Sequence, residues 1–142
     1  MQSELDPLER LAMDMLLAGD DPTLKILREQ FRVTAVLDRK LTGVGFFVTF
    51  SVPPGARRIE GKKLSYLGDV KAEIKGLQHG ADFVLHFRDG AIDYLEGCSY
   101  DEPWPAGTES CRVAYIDGEE RDLATLWTKW AGWENAPGNN SL

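Results

Sequence analysis

The chain contains few of the residues from which metal centres and disulfide frameworks are built. It has two cysteines and two histidines, His79 and His86, and no Cys-x-x-Cys or His-x-x-x-His spacing. Zinc and related metals need such clusters of ligands. A phosphate loop is missing as well, because Gly43-Val-Gly45 lacks the lysine and the following helix that such a loop needs. The sequence therefore predicts no metal site and no bound cofactor.

The chain also lacks an excess of basic residues and any long apolar run. Lysine and arginine number 16 against 23 aspartates and glutamates, which gives a net charge of -7. Nucleic-acid backbones are bound by basic surfaces, so this balance disfavours a nucleic-acid partner and favours a basic protein partner. No window approaches the run of about 18 uncharged apolar residues that a membrane helix needs, so no membrane association is expected.

Cysteine usage points to a reducing compartment. The sequence shows no secretory apolar segment and no cleavage site, so we expect a cytoplasmic protein whose Cys98 and Cys111 are reduced thiols. The alternative is a disulfide between these two residues, which would cross-link the chain on either side of the loop around Trp104. Spacing alone leaves both alternatives open.

Helix signals stand at the two ends of the chain and strand signals stand between them. Asp6-Pro7 and Asp21-Pro22 each join a helix-capping aspartate to a proline that the first helical turn tolerates. Asp122 is expected to cap a C-terminal helix. We predict one α+β domain over residues 1–134, with two N-terminal helices and one C-terminal helix packed on a mainly antiparallel sheet of about six strands. The polar stretch 135–142 is predicted to be a disordered tail.

Two hairpins form the centre of the predicted sheet. A turn at Thr42-Gly43 would place Arg39 opposite Phe46, on a strand face that is otherwise apolar. Asp89-Gly90, between two alternating apolar runs, is a strong signal for a two-residue type I′ turn. That turn would place Glu96 opposite Phe83, again on an apolar face.

These two isolated charges lead to a specific structural prediction. Burying either charge alone would be costly, whereas a guanidinium and a carboxylate can satisfy each other. We therefore predict an ion pair between Arg39 and Glu96 inside the fold. The alternative is that Glu96 lies unpaired in a pocket with a raised pKa, where it would be a weak catalytic candidate for general acid chemistry.

The segment after the second hairpin is the predicted binding loop. It contains Tyr100, Asp101, Glu102 and Trp104, and prolines on both sides of Trp104 restrict its backbone. A stiffened tryptophan among acids is typical of an anchor for a partner protein. Trp104 could equally fold back over the core, and the sequence does not decide between the two.

Several pieces of the chain resemble a group of small bacterial proteins to which no activity is assigned. They are Phe83-x-Leu85-x-x-Arg88-Asp89-Gly90, Leu95-Glu96-Gly97, Tyr100-Asp101-x-Pro103-Trp104-Pro105, and Thr42-Gly-Val-Gly-Phe-Phe47 followed by Val52-Pro53. The resemblance covers roughly residues 8 to 118 and implies hairpins, not a catalytic residue. Members often carry tyrosine at the position of Cys98, which argues against a redox role for that thiol.

Three functions follow from these observations as hypotheses. The leading one is a small acidic bacterial binding module or inhibitor of a basic partner. Some similar small acidic proteins are immunity proteins encoded near toxin genes, which is an analogy. The alternatives are a small hydrolase or lyase that uses Glu96 in a pocket, and a homodimer in which exposed apolar residues such as Phe47 meet across a two-fold axis.

Overall fold

Helices pack on one face of a seven-stranded sheet in the computed structural model, which describes residues 5–61 and 63–134. Every strand pairing in this range is antiparallel. The elements in chain order are α1 (Pro7–Leu16), α2 (Pro22–Val33), β1 (Ala35–Leu41), β2 (Gly45–Ser51), β3 (Lys63–Ile74), β4 (Ala81–Arg88), β5 (Ala91–Ser99), β6 (Cys111–Tyr115), α3 (Leu123–Thr125), a π-helical segment (Leu126–Trp130) and β7 (Ala131–Glu134). The predicted α+β class is confirmed, and the predicted tail at 135–142 lies outside the described residues.

The strand order brings the second hairpin to the middle of the sheet. The order is β1-β2-β5-β4-β3-β6, and β7 pairs with the first half of the long strand β3 while β6 pairs with its second half. Side chains alternate in burial along β4 and, from Phe46 onward, along β2, and the buried ones lie on the face that meets the helices. The opposite face, which we call the open face, is covered by no helix within residues 5–61 and 63–134.

The two N-terminal helices begin where the sequence predicts. The Asp6 carboxylate accepts the Glu9 backbone N–H at 2.8 Å, and the Glu9 carboxylate accepts the Asp6 backbone N–H at 3.0 Å, so α1 starts with a reciprocal capping box. Asp21 caps α2 by accepting the backbone N–H groups of Thr23 and Leu24. These caps satisfy donors that a helix cannot pair internally, which explains both helix starts.

The C-terminal helix is shorter than its sequence pattern suggests. Asp122 caps it as predicted, but α3 has three residues and continues as a π-helical segment of five. The chain then turns into β7, which the sequence does not predict. The new strand is possible because Gly132 lies under the Tyr66 ring, where a side chain would come within 2.0 Å of a ring carbon.

The register of the first hairpin differs from the prediction throughout, and that of the second hairpin differs only beyond its turn. In the first hairpin Arg39 pairs with Val48, not with Phe46, because the loop is two residues longer and Leu41 pairs with Phe46. A shift by two leaves Arg39 on the same face of the strand. In the second hairpin, Asp89 and Gly90 both have positive φ, of 53° and 80°, as a type I′ turn requires.

Candidate functional site

An irregularity in β5 decides which face carries Glu96. The β4–β5 pairing is regular from Arg88 and Ala91 to Phe87 and Ile92, then skips one residue, so that His86 pairs with Tyr94. Asp93 is the extra residue of this bulge. A slip by one residue moves every later side chain to the other face of a sheet. Glu96 therefore pairs with Val84 on the open face, and the prediction that it faces Phe83 and the interior is wrong.

The predicted ion pair between Arg39 and Glu96 is therefore also wrong. Arg39 lies on the helix side of the sheet, and its Nη2 donates to Glu9 Oε1 at 2.5 Å. Its Nε donates to the second Glu9 oxygen at 3.3 Å. Hydrogen bonding to this carboxylate raises the pKa of Arg39. The expectation that a charge on this face needs an opposite charge was sound, but the partner comes from helix α1.

Glu96 finds its partner within the open face. His86 Nε2 lies 3.0 Å from Glu96 Oε1, and the two side chains are 25% and 32% exposed. The His86 ring also stacks on Tyr94, with centroids 4.2 Å apart and planes at 14°. Phe47 also meets the Tyr94 ring edge-on, with centroids 5.6 Å apart. These four residues form a continuous cluster across β2, β5 and β4.

The cluster continues along one row of cross-strand neighbours. Tyr66 on β3 pairs in register with His86, and its side chain is 41% exposed. Gly132 on β7 follows in the same row beneath the Tyr66 ring. The open face thus has an aromatic centre, which we call the aromatic row: Phe47, Tyr66, His86 and Tyr94. Packing of the core does not explain why aromatic and histidine side chains occur on a face that no helix covers.

Carboxylates lie along one side of the aromatic row. Cys98 on β5 is next to Asp82 in register, and burial followed by the charges of Glu96, Asp82 and Asp101 raises the pKa of its thiol. Burial, then the Glu96 charge and then the Asp93 charge likewise raise the pKa of Tyr94. The carboxylates at this part of the face thus add to the effect of burial on both pKa values.

The predicted binding loop supplies part of this negative region. Tyr100 is exposed, and its hydroxyl donates to the Asp82 carboxylate, which raises the pKa of Tyr100 to about 12. Asp101 is exposed and has a positive φ of 62°. Tyr100 therefore borders the open face, at the start of the loop after β5.

Glu102 has a structural role that the sequence does not reveal. Its two carboxylate oxygens accept the backbone N–H groups of Gln78 at 2.6 Å and His79 at 2.9 Å. These bonds hold the turn between β3 and β4, and they lower the pKa of Glu102. The carboxylate is thus already engaged, and its place among the predicted binding residues stays a prediction.

Trp104 lies against the core and not free in solvent. It is half-buried and meets Phe46 edge-on with ring centroids 5.5 Å apart. Its backbone N–H donates to Gly43 O at 2.8 Å, and the Ser99 N–H donates to Val44 O at 2.9 Å. The binding loop is therefore tied to the loop of the first hairpin, and Trp104 covers the core at the start of β2.

The remaining candidate chemistry is sparse. Cys98 and Cys111 are free thiols, so the disulfide alternative is not realised. Burial is the largest cause of the raised pKa of Cys111, followed by the charges of Asp6 and Glu109. No group of three histidine, cysteine or carboxylate side chains within residues 5–61 and 63–134 could hold a metal ion. His86 and Glu96 form a hydrogen-bonded pair, but they lie on the open face of a sheet and not in a cleft.

The residues of the aromatic row were only partly visible in the sequence. Phe47 stands out in the sequence as an apolar residue on a strand face that is otherwise polar, whereas a regular two-residue hairpin would wrongly place Tyr94 opposite Leu85 in the core and His86 opposite Asp93 on the surface. The bulge at Asp93 explains both errors, since it turns Tyr94 outward and brings His86 opposite to it. A bulge of this kind has no strong sequence signal beyond the charged residue in an apolar run.

Comparisons with protein families, curated proteins and solved structures found no match for this chain. Within the described part of the chain, no helix is long and apolar enough to cross a membrane. Function must therefore be argued from the open face itself.

Proposed function

We propose that the protein is a binding module that holds a lysine- or arginine-rich segment of a partner protein on its open face. The observation that carries the proposal is the combination of ring faces and carboxylates on one uncovered surface. Phe47, Tyr66 and Tyr94 supply the rings, and Asp82 and Glu96 supply the carboxylates.

Both kinds of group favour the same ligand. Ammonium and guanidinium groups are attracted to the faces of aromatic rings, and carboxylates accept their charged hydrogen bonds. Basic side chains also have long apolar stems that can cover rings such as those of Tyr66 and Tyr94. A purely apolar segment would use only the rings, and an acidic segment would be repelled by the carboxylates.

The charge distribution supports the same choice of partner. Lys40 is next to Phe47 in register and Lys71 is next to Asp82, so lysines lie to both sides of the aromatic row. Between them Glu96 is next to Phe47 and Asp82 is next to Cys98 in register, and the charges of Asp93 and Asp101 act on Tyr94 and Cys98. A basic segment lying along β4 and β5 would meet negative charge in the middle, and the two lysines would limit its position on either side.

The alternatives receive less support from this geometry. A hydrolase or lyase that uses Glu96 would need a cleft, but Glu96 lies on the open face and is hydrogen-bonded to His86. A homodimer through Phe47 would have to cover the same face, and the carboxylates would then face their own copies. The immunity-like inhibitor role is a special case of the proposal, in which the basic partner is a toxin.

A peptide titration tests the proposal. A fluorophore-labelled peptide rich in lysine and arginine is titrated with the protein and followed by anisotropy, beside a peptide with glutamate in place of each basic residue. We expect binding of the basic peptide only, weakening as salt is added. The Glu96→Gln variant with Asp82→Asn should weaken binding about tenfold, because each exposed charge contributes up to about 1 kcal/mol.

A matched control separates this site from general charge attraction. Glu119 and Glu120 are exposed in the turn after β6, and Glu119→Gln with Glu120→Gln removes the same charge from outside the open face. This control should bind the basic peptide within about twofold of the parent protein. Equal weakening by both double variants, or a dimer in which the open face is protected without peptide, would contradict the proposal.

A further inference from the structure

A recess lies on the helix side of the protein, away from the open face. It is a cavity of about 380 Å³ between α1, α2 and the start of β1. Its apolar wall includes Leu17, Phe31, Val36 and Phe50, and the Phe31 and Phe50 rings meet edge-on at 6.2 Å. The volume lies within the range of about 300–1,000 Å³ that is usual for small-molecule sites.

Three arginines line this cavity in a protein that is strongly acidic overall. Arg10 comes from α1, and Arg28 and Arg32 come from α2, whereas Asp14 is the one carboxylate in the lining. None of the three arginines forms an ion pair with a carboxylate in the part of the chain that the structure describes. The net charge of the lining is therefore positive, against a net charge of -7 for the chain.

The arginines are held in place by contacts that do not neutralise them. Arg28 Nη1 donates to Leu17 O at 2.6 Å and to Gly19 O at 3.0 Å. The Arg10 guanidinium lies 5.2 Å from the centre of the Phe31 ring. Carbonyl oxygens and a ring face position a guanidinium without cancelling its charge, so both cations remain available to an anion.

We propose that this cavity binds a small amphipathic organic anion. The apolar body of the ligand would pack on Phe31, Val36 and Phe50, and its anionic head would accept hydrogen bonds from Arg10 and Arg32 at the exposed mouth. A carboxylate and a phosphate monoester both match the fork of an arginine, so either head belongs to this class. The site is independent of the basic-segment binding proposed for the open face.

Calorimetric titration with simple probes tests this inference. The probes are octanoate, octyl phosphate and uncharged octanol, each below the concentration at which it self-associates. We expect saturable binding of at least one anion at a one-to-one ratio, and none of octanol. The stronger of the two anions identifies the head group that the site prefers.

Variants of the exposed arginines locate the binding. Within residues 5–61 and 63–134 the Arg10 and Arg32 side chains donate no hydrogen bond, so Arg10→Gln and Arg32→Gln should fold normally, which circular dichroism checks. Each should weaken anion binding about tenfold or more, because each removes a charge-assisted hydrogen bond to the anionic head. Arg88→Gln removes the same charge from the exposed end of β4 and should leave the affinity within about twofold.

Three results would overturn the inference. The first is an absence of saturable binding of both anions to the parent protein. The second is equal binding of octanol, which would show an apolar recess without anion recognition. The third is unchanged affinity in a folded variant that carries both Arg10→Gln and Arg32→Gln.

Discussion

The Glu9 carboxylate joins helix α1 to edge strand β1 by accepting two hydrogen bonds from the Arg39 guanidinium. Glu9 is almost fully buried, with 4% of its side chain exposed, whereas 30% of the Arg39 side chain is exposed. The same carboxylate also accepts the Asp6 backbone N–H of the capping box. One buried group thus fixes both the start of α1 and the position of β1.

This asymmetry predicts how the pair responds to substitution. Arg39→Met should cost about 3 kcal/mol of unfolding free energy, because it leaves a buried carboxylate without its counter-ion. Arg39→Met together with Glu9→Met should cost much less than the sum of the two single substitutions. Chemical denaturation of the four proteins gives the coupling energy, which we expect to be about 1–3 kcal/mol. A cycle of Arg39→Met with Glu96→Leu is the control and should give a coupling near zero.

Glu102 makes the stability of the β3–β4 turn depend on pH. Its folded-state pKa is lowered by hydrogen bonds from the Gln78 and His79 backbone N–H groups, so ionised Glu102 stabilises the fold. This contribution is present above the unfolded-state pKa and is lost as the pH falls through the folded-state pKa. The melting temperature of Glu102→Gln should therefore lie below that of the parent protein at pH 7, and the difference should shrink on acidification below about pH 4. A constant difference across this range would contradict the assignment.

The Cys98 thiol offers a probe of the negative potential on the open face. Its raised pKa should make it react more slowly with a disulfide reagent at neutral pH than the same residue does in the unfolded chain. In a Cys111→Ser background, Glu96→Gln should lower the apparent pKa of Cys98, because it removes one of the charges that raise it. Stopped-flow rates against pH measure the effect. Glu119→Gln is the control with the same charge change and should leave the profile in place.

Trp104 should contribute to stability whatever its role in binding. Because it packs on Phe46 and is half-buried, Trp104→Ala should destabilise the fold by about 1–3 kcal/mol, less than the 3–5 kcal/mol usual for a fully buried tryptophan. Trp104→Phe should recover most of this loss. A change within about 0.5 kcal/mol for Trp104→Ala would instead indicate a side chain that serves recognition alone.

The parts of the fold that the sequence predicts are those fixed by local chemistry. Asp6 and Asp21 cap the first two helices because the capping bonds involve neighbours two or three residues away. Asp89-Gly90 forms its turn because both residues tolerate positive φ. These signals are enough to place the helices and the central hairpin, and hence the α+β class.

The parts that the sequence does not predict depend on contacts between distant residues. The loop of the first hairpin is longer than expected because it also pairs with the chain near Ser99 and Trp104. The bulge at Asp93 reverses the outward and inward positions that follow it, so Glu96 was assigned to the wrong face. The aromatic row, and with it the candidate site, therefore became visible only in three dimensions.

The central claim is that the open face binds a basic segment, and amide chemical shifts test it most directly. The lysine- and arginine-rich peptide is added to isotope-labelled protein, and shifts are mapped along the chain. The account predicts that the largest changes fall on β2, β4 and β5 around Phe47, His86 and Tyr94, and that Glu96→Gln with Asp82→Asn reduces them. Shifts spread evenly over all exposed acidic residues, or confined to the helix side of the sheet, would contradict it.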